Sequence, residues 1–180
     1  IMLQIFIQIK KNCLEINMTI KTIKKEIEYE NRKVIYYENE KRQRHGKYQV
    51  FENCLLTEER EYRKGVLLSK KTFFDNGQIK VSEKYKNNKL TDELIAYYED
   101  GTIDFKLNYV KGILEGKQIW YHKNGNIKRE EMRIKGLIEG TVKTYYDSGE
   151  LYMIVKYREG EQYGFFKYFN KDGTLKYKSK

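Results

Sequence analysis

The sequence is poor in residues that build disulfide frameworks and metal centres. It has two cysteines, Cys13 and Cys54, and two histidines, His45 and His122, in 180 residues. Neither histidine has a second histidine or cysteine at zinc-ligand spacing, and two cysteines cannot form a disulfide framework. We therefore predict no metal and no cofactor. This cysteine usage suits a reducing compartment, the cytoplasm, or a chain that is indifferent to redox.

A long apolar run is missing as well. The run from Ile1 to Ile9 is too short to span a bilayer and has no basic segment before it, so it predicts neither a membrane helix nor a secretory signal. The first residue is not methionine, so part of a leader could be missing and export stays open. Alternatively, Met18 is the natural start and residues 1–17 are not native coding sequence.

Tyrosine dominates the aromatic composition. Proline is absent and tryptophan occurs once, whereas tyrosine occurs 17 times and phenylalanine 8 times. Tyrosine suits a sheet face that is only half covered, because its hydroxyl can stay in water while its ring packs. The composition therefore indicates a thin architecture.

The net charge of +10 would favour acidic partners, nucleic acid or an anionic membrane. The excess is spread evenly, with 14 basic against 10 acidic residues in 1–65 and 22 against 16 in 66–180. It is concentrated only in the tail, at Lys176, Lys178 and Lys180. A solvated surface of mixed sign is therefore favoured over a nucleic-acid footprint.

The glycines reveal a repeat of 24 residues. Asn-Gly or Asp-Gly between aromatic and alternating segments predicts a β-hairpin, because the turn needs a positive φ that glycine adopts easily. Each unit is therefore expected to hold two strands and two turns. The first glycine series is Gly77, Gly101, Gly125, Gly149 and Gly173, the second is Gly112, Gly136 and Gly160, and the third is Gly116, Gly140 and Gly164.

This repeat predicts an all-β fold, an elongated single-sheet antiparallel meander of ten or eleven strands with an irregular amino-terminal cap. We assign residues 1–35 to the cap and 36–180 to the repeat array, which is degenerate over 36–72 and regular over 73–175. The segment from Lys25 to Tyr37 is expected to form an irregular hairpin. A helix from Thr19 to Glu28 is the competing prediction.

The two kinds of turn predict different registers. A three-residue turn pairs Phe73 with Ile79, whereas a two-residue turn at Lys111-Gly112 pairs Tyr109 with Leu114. Because these registers differ by one residue, we expect distorted pairing at the third glycine series. Period-two alternation assigns one face of a strand to Ile103, Phe105, Leu107 and Tyr109.

One repeat departs from the apolar pattern. Arg129, Glu131 and Arg133 stand where neighbouring repeats have apolar residues. Either this face is exposed locally or the three charges pair with one another. The departure represents drift in a tolerant repeat or a polar notch for a partner.

The spacing Tyr109-x-x-Gly112-x-x-x-Gly116-Lys117-x-x-x-Tyr121-x-x-x-Gly125 resembles MORN repeats, and the likeness runs over residues 36–178. The Tyr-Tyr-x-Asn/Asp-Gly-x-Ile start resembles the bacterial variant found in YwqK-family antitoxin proteins. The resemblance implies a meander of β-hairpins, no catalytic residues and, for some members, binding of a protein partner or neutralisation of a toxin. Glycine is replaced by Cys54, Ser69 and Asn88, so the early repeats are expected to be distorted.

Our leading functional hypothesis is a non-catalytic protein-binding scaffold, an antitoxin or immunity-type protein. The alternative is a binder of anionic lipid or nucleic-acid surfaces that uses dispersed lysines and tyrosine rows. His122 occupies a slot that other repeats fill with an aromatic ring, so a substitution within that row explains it better than catalysis. The candidate partner-binding residues are Phe74, Tyr98, His122, Tyr146, Arg129, Glu131 and Arg133.

Overall fold

The computed structural model describes residues 21–179, which form one antiparallel sheet without helices. The predictions for residues 1–17, including Cys13, and for the start of the competing helix lie outside the described residues. The strands are β1 (Ile23–Tyr29), β2 (Arg32–Glu38), β3 (Arg44–Glu52), β4 (Leu55–Arg63), β5 (Val66–Phe73), β6 (Ile79–Lys86), β7 (Lys89–Tyr97), β8 (Ile103–Val110), β9 (Ile113–Leu114), β10 (Gly116–Tyr121), β11 (Ile127–Ile134), β12 (Leu137–Tyr145), β13 (Leu151–Arg158), β14 (Glu161–Gln162), β15 (Lys167–Phe169) and β16 (Leu175–Lys178).

The strands follow one another across the sheet in chain order, which confirms the predicted open meander. The short strands β9 and β14 pair with β8 and β13, and the remaining 14 strands form a continuous path. The predicted ten or eleven strands were too few, because residues 23–63 already form four strands. β1 and β2 pair from Ile23↔Glu38 to Tyr29↔Arg32 without a shift, so this hairpin is regular rather than irregular. The boundary between cap and array stays a prediction.

Both predicted turn registers are confirmed. Phe73 pairs with Ile79, and the equivalent pairs recur in the following repeats. Tyr109 pairs with Leu114 around the two-residue turn. Cys54 and Asn88 take the positive φ of the glycines they replace, 65° and 58°, so the early turns form despite the substitutions.

The predicted distortion at the third glycine series is confirmed in all three repeats. Between the pair Tyr157↔Gln162 and the pair Ile154↔Lys167, the segment that contains Gly164 is two residues longer than the strand segment opposite it. The ladders beside Gly116 and Gly140 shift in the same way.

The turns of the first glycine series follow aromatic residues, and we call them the aromatic turns. The sequence did not predict a second bulge beside each of them. Tyr97 pairs with Ile103 but Ala96 pairs with Phe105, which leaves Asp104 as an extra residue. Because Tyr97 and Ala96 are neighbours in an extended strand, their partners belong to opposite faces. The predicted face is therefore wrong at Ile103 and holds only from Phe105 onward.

A single sheet has no second layer against which to build a large core. We call face A the side that carries Val142 and Val155, a directly paired couple at the centre of the last complete repeat, and face B the opposite side. The buried apolar side chains among the described residues are few and small, and all lie on face A: Val34, Val50, Ala96, Val142 and Val155.

Backbone hydrogen bonds between successive hairpins supplement this small core. At the edge that carries the two-residue turns, the amide of Gly136 donates to the carbonyl of Leu114 at 2.9 Å. Gly112 donates to Leu90 and Gly160 to Ile138 in the same way. Each of these glycines has a positive φ, and each bond joins a turn to the preceding repeat. The 24-residue period therefore keeps the turns of one edge in contact.

Replacing Gly101 by valine should lower the free energy of unfolding by roughly 1–3 kcal/mol. Its φ is +86°, and an added Cβ would come within 2.7 Å of Oε1 of Gln78. Lys106→Val is the control, because Lys106 pairs with Ile95 and Ile119 in a regular part of the ladder. Urea denaturation of both variants measures the effect, and equal losses would contradict this account of the turn.

Candidate functional site

The predicted aromatic row lies at the edge of the aromatic turns and joins one repeat to the next. The Tyr98 hydroxyl donates to the carbonyl of Tyr121 at 2.9 Å, and the Tyr146 hydroxyl donates to that of Phe169 at 2.8 Å. Nε2 of His122 lies 3.0 Å from the carbonyl oxygen of Tyr145. A carbonyl oxygen only accepts, so Nε2 carries the proton in this bond. His122 thus makes the same kind of hydrogen bond to a backbone carbonyl that the tyrosine hydroxyls make elsewhere in the row.

These contacts give the row a structural use. Burial raises the pKa of the Tyr98 phenol, and the nearby carboxylate of Asp104 raises it further, so the hydroxyl keeps its proton at neutral pH. Phe74 occupies the same position one repeat earlier but has no hydroxyl to donate. All four rings of the row remain half-exposed, so their proposed contact with a partner stays a prediction.

Arg129, Glu131 and Arg133 form a clamp on face A, which decides between the two predicted arrangements. The Glu131 carboxylate is buried and accepts bonds from Nε of Arg129 at 3.0 Å and Nε of Arg133 at 2.7 Å. Arg133 also donates to the carbonyl of Gly136 at 2.7 Å, and the Arg129 guanidinium lies 5.6 Å from the Trp120 ring centre. The three charges pair with one another rather than being exposed.

Gln118, which the sequence did not single out, is paired with Glu131 and fully buried. Its Oε1 accepts from the amide of Asn108 at 2.8 Å, and its Nε2 donates to the carbonyls of Gly116 and Glu115 at 3.0 and 3.3 Å. These backbone groups lie at the Gly116 bulge, where the ladder cannot pair them. The side chain of Gln118 therefore satisfies the bulge that the sequence predicted.

The central pairs of successive repeats alternate between polar and apolar chemistry. Each pair lies 24 residues from the next, so all four hold the same place in the sheet. Their order along the chain is Lys70↔Glu83, Leu94↔Leu107, Gln118↔Glu131 and Val142↔Val155. The polar pair of the clamp, Gln118↔Glu131, is therefore one of two polar pairs in the series, rather than an isolated departure from the apolar pattern.

An apolar strip runs along the edge of the two-residue turns. It consists of Val110, Ile113, Ile134 and Leu137, which are 53%, 51%, 49% and 50% exposed. Val110 pairs with Ile113, and Ile134 pairs with Leu137 in the next repeat. The two pairs are adjacent, since Ile113 Cγ2 lies 3.4 Å from where a Cβ on Gly136 would stand.

The repeats on either side of the strip carry charges at the same positions. Lys86 pairs with Lys89 before it, and Arg158 pairs with Glu161 after it. The sequence shows this contrast only after the repeats are aligned on their second glycine series, and the strip was missed for that reason.

Residues 21–179 contain no group of three histidine, cysteine or acidic side chains that could hold a metal ion. No helix in this part of the chain is long and apolar enough to cross a bilayer.

Comparison with known families finds a likeness to MORN repeats in three segments. A family profile described as MORN repeat variant matches residues 68–87, 114–133 and 138–159. These segments carry paired strands and turns described above, so this part of the array is similar to MORN repeats. A comparison with curated proteins finds no match.

Among solved structures, the crystal structure of a GtfA/B complex bound to UDP and GlcNAc is similar, with a TM-score of 0.30 and 13% identity. The similarity covers 81% of this chain and 25% of that one. This chain therefore spans about a quarter of that chain's length.

The aromatic row can be tested in both directions. Tyr98→Phe should lower the free energy of unfolding by about 1 kcal/mol, because the carbonyl of Tyr121 loses its donor. Phe74→Tyr should raise it by a similar amount, because the new hydroxyl would reach the equivalent carbonyl of Tyr97. Denaturant unfolding of the two variants checks this, and opposite signs of the changes are expected.

The clamp can be exchanged for the apolar arrangement of the following repeat. Glu131→Val alone should destabilise by about 2–3 kcal/mol, because two guanidinium groups lose their shared carboxylate. The fourfold variant Gln118→Val, Arg129→Met, Glu131→Val, Arg133→Tyr copies the residues found 24 positions later and should recover this loss. Thermal unfolding of both variants measures the difference, and a fourfold variant less stable than the single one would refute the equivalence of the repeats.

Proposed function

We propose that this protein is a non-catalytic repeat scaffold that binds a protein partner along the edge of its two-residue turns. The observation that carries the proposal is the apolar strip. Four aliphatic residues in two adjacent strand pairs, each about half exposed, present an apolar surface, and such a surface typically marks an interaction site. MORN repeats fit such a scaffold.

The surroundings of the strip suit a protein interface. Lys111 and Lys135 lie in the two turns between the paired aliphatic residues, and Lys86 and Lys89 lie beside them in the preceding repeat. An apolar centre with a charged rim is the common arrangement of a specific interface. The rim is basic on the side of Lys86 and Lys89 and mixed on the other side, where Arg158 pairs with Glu161. The basic side favours a partner with acidic residues next to its apolar contact.

The narrower proposals have less support. A toxin as the partner, membership of the YwqK family and a cytoplasmic location come from the resemblance and the cysteine usage alone. The alternative use of dispersed lysines on an anionic surface is weakened because several of them are already paired. Lys47 contacts Glu59, Lys70 contacts Glu58, and Lys117 contacts Glu130.

Affinity capture with the full chain, followed by titration of the purified partner, tests the proposal. The variant Ile113→Asp, Leu137→Asp should bind the partner at least about tenfold more weakly, because the contact then requires burial of two carboxylates. Leu175→Asp is the matched control, since Leu175 is 54% exposed but lies at the end of the array. A partner that binds all three proteins equally would place the interface elsewhere, and no stable protein partner at all would contradict the scaffold function.

A further inference from the structure

A basic recess opens on face B at the last repeat. Its volume is about 460 Å³, and no aspartate or glutamate lines it. The bulge at Gly164 forms one wall, because residues 163–166 leave the ladder there before β15 resumes pairing. The lining residues are Thr141, Ile154, Lys156, Tyr163, Gly164, Phe165, Lys167 and Lys178.

Two of the lysines face each other directly. Lys167 pairs with Lys178 across β15 and β16, so the two side chains project from the same face at neighbouring positions. Like charges placed opposite each other destabilise a sheet. Among residues 21–179, no carboxylate lies within ion-pair distance of Lys156, Lys167 or Lys178, whereas Lys143, one repeat before Lys167, lies 3.7 Å from Glu130.

The recess lacks an acidic residue that the preceding repeats carry at the equivalent position. In the following turns, the backbone amide of Lys135 donates a hydrogen bond to Oε2 of Glu115 at 2.7 Å, and that of Glu159 donates to Oε2 of Glu139 at 2.8 Å. Tyr163 stands at the equivalent position of the last repeat, so the local carboxylate has been replaced by a ring. Phe165, two residues later, is 51% exposed.

The geometry points to a binding site for a small phosphate ester or diphosphate in this recess, formed by Lys156, Lys167 and Lys178. A ligand with two or more negative charges would neutralise the facing lysines and remove their repulsion. Lysine binds phosphate as a point charge, without the planar match that arginine needs. The recess has the size of a small-molecule site, and Tyr163, Phe165 and Ile154 supply an apolar wall for the organic part of the ester.

The aromatic wall already holds cations. Nζ of Lys178 lies 4.1 Å from the ring centre of Phe165, and the Arg158 guanidinium lies 4.7 Å from that of Tyr163. The contact with Phe165 holds the Lys178 ammonium at the recess, whose lining includes both residues. Binding of anions here requires no protein partner, so it can fail or succeed independently of the scaffold function.

The test uses the full chain with defined anions at constant ionic strength. Isothermal titration and thermal unfolding should show that inorganic pyrophosphate and adenosine diphosphate bind and raise Tm, as expected for a ligand that binds only the folded state. Lys167→Gln with Lys178→Gln should weaken binding about tenfold or more. Lys106→Gln is the matched control, because Lys106 occupies the same row of face B between two isoleucines and should leave binding unchanged.

A second variant separates the site from ordinary surface charge. Lys178→Glu should abolish the response to pyrophosphate, because it removes one of the three positive charges and places a carboxylate opposite Lys167. An unchanged response would overturn the proposal. An equal response to citrate would overturn the assignment to phosphate, and binding only to anionic vesicles or single-stranded oligonucleotides would assign the recess to a macromolecular surface instead.

Discussion

Contacts between the turns of successive hairpins supplement the ladders of this sheet, because residues 21–179 form no second layer that would bury its faces. Most globular β proteins gain stability by packing one layer on another. Here the buried apolar side chains are few and small. At one edge a glycine amide meets a carbonyl of the preceding repeat, as Gly136 meets Leu114, and at the other a ring at position 98, 122 or 146 meets the next repeat. In the regular repeats the period of 24 keeps these partners in contact from Gly112 to Gly160.

The same constraint explains why polar central pairs are tolerated. A buried carboxylate such as that of Glu131 is costly unless it is paired and hydrogen-bonded. In a single sheet the residues two positions away along the strand share its face, and Arg129 and Arg133 are therefore within reach. Gln118 has a second role, since its side chain forms hydrogen bonds with backbone groups at the bulge. In the neighbouring repeats a valine or a leucine stands at this position and cannot form such bonds. Polar and apolar versions of one unit can thus alternate without a change of fold.

The features that sequence analysis predicted depend on short stretches of chain. Asn-Gly and Lys-Gly turns specify the pairs Phe73↔Ile79 and Tyr109↔Leu114, because a turn and its flanking residues are contiguous. The bulge at Asp104 could not be predicted in this way, since it lies inside the β7–β8 ladder, one pair beyond the turn. The bond from Tyr98 to Tyr121 joins residues 23 positions apart and leaves no mark on composition. The apolar strip and the lysine recess likewise need the repeats to be placed side by side.

The positions that can bind are those that the repeat does not use to hold itself together. The turn glycines and the hydrogen-bonding members of the aromatic row, Tyr98, His122 and Tyr146, contact backbone groups of neighbouring repeats, so changing them disturbs the fold before it disturbs any partner. Ile113 and Lys178 differ from them, since their backbone pairs normally while their side chains face solvent or a recess. Tyr163, which stands where other repeats have glutamate, likewise leaves the nearby lysines without an acidic residue in the recess. An array of this kind can therefore acquire a new binding surface by exchanging side chains in one repeat, while the contacts between its turns stay as they are.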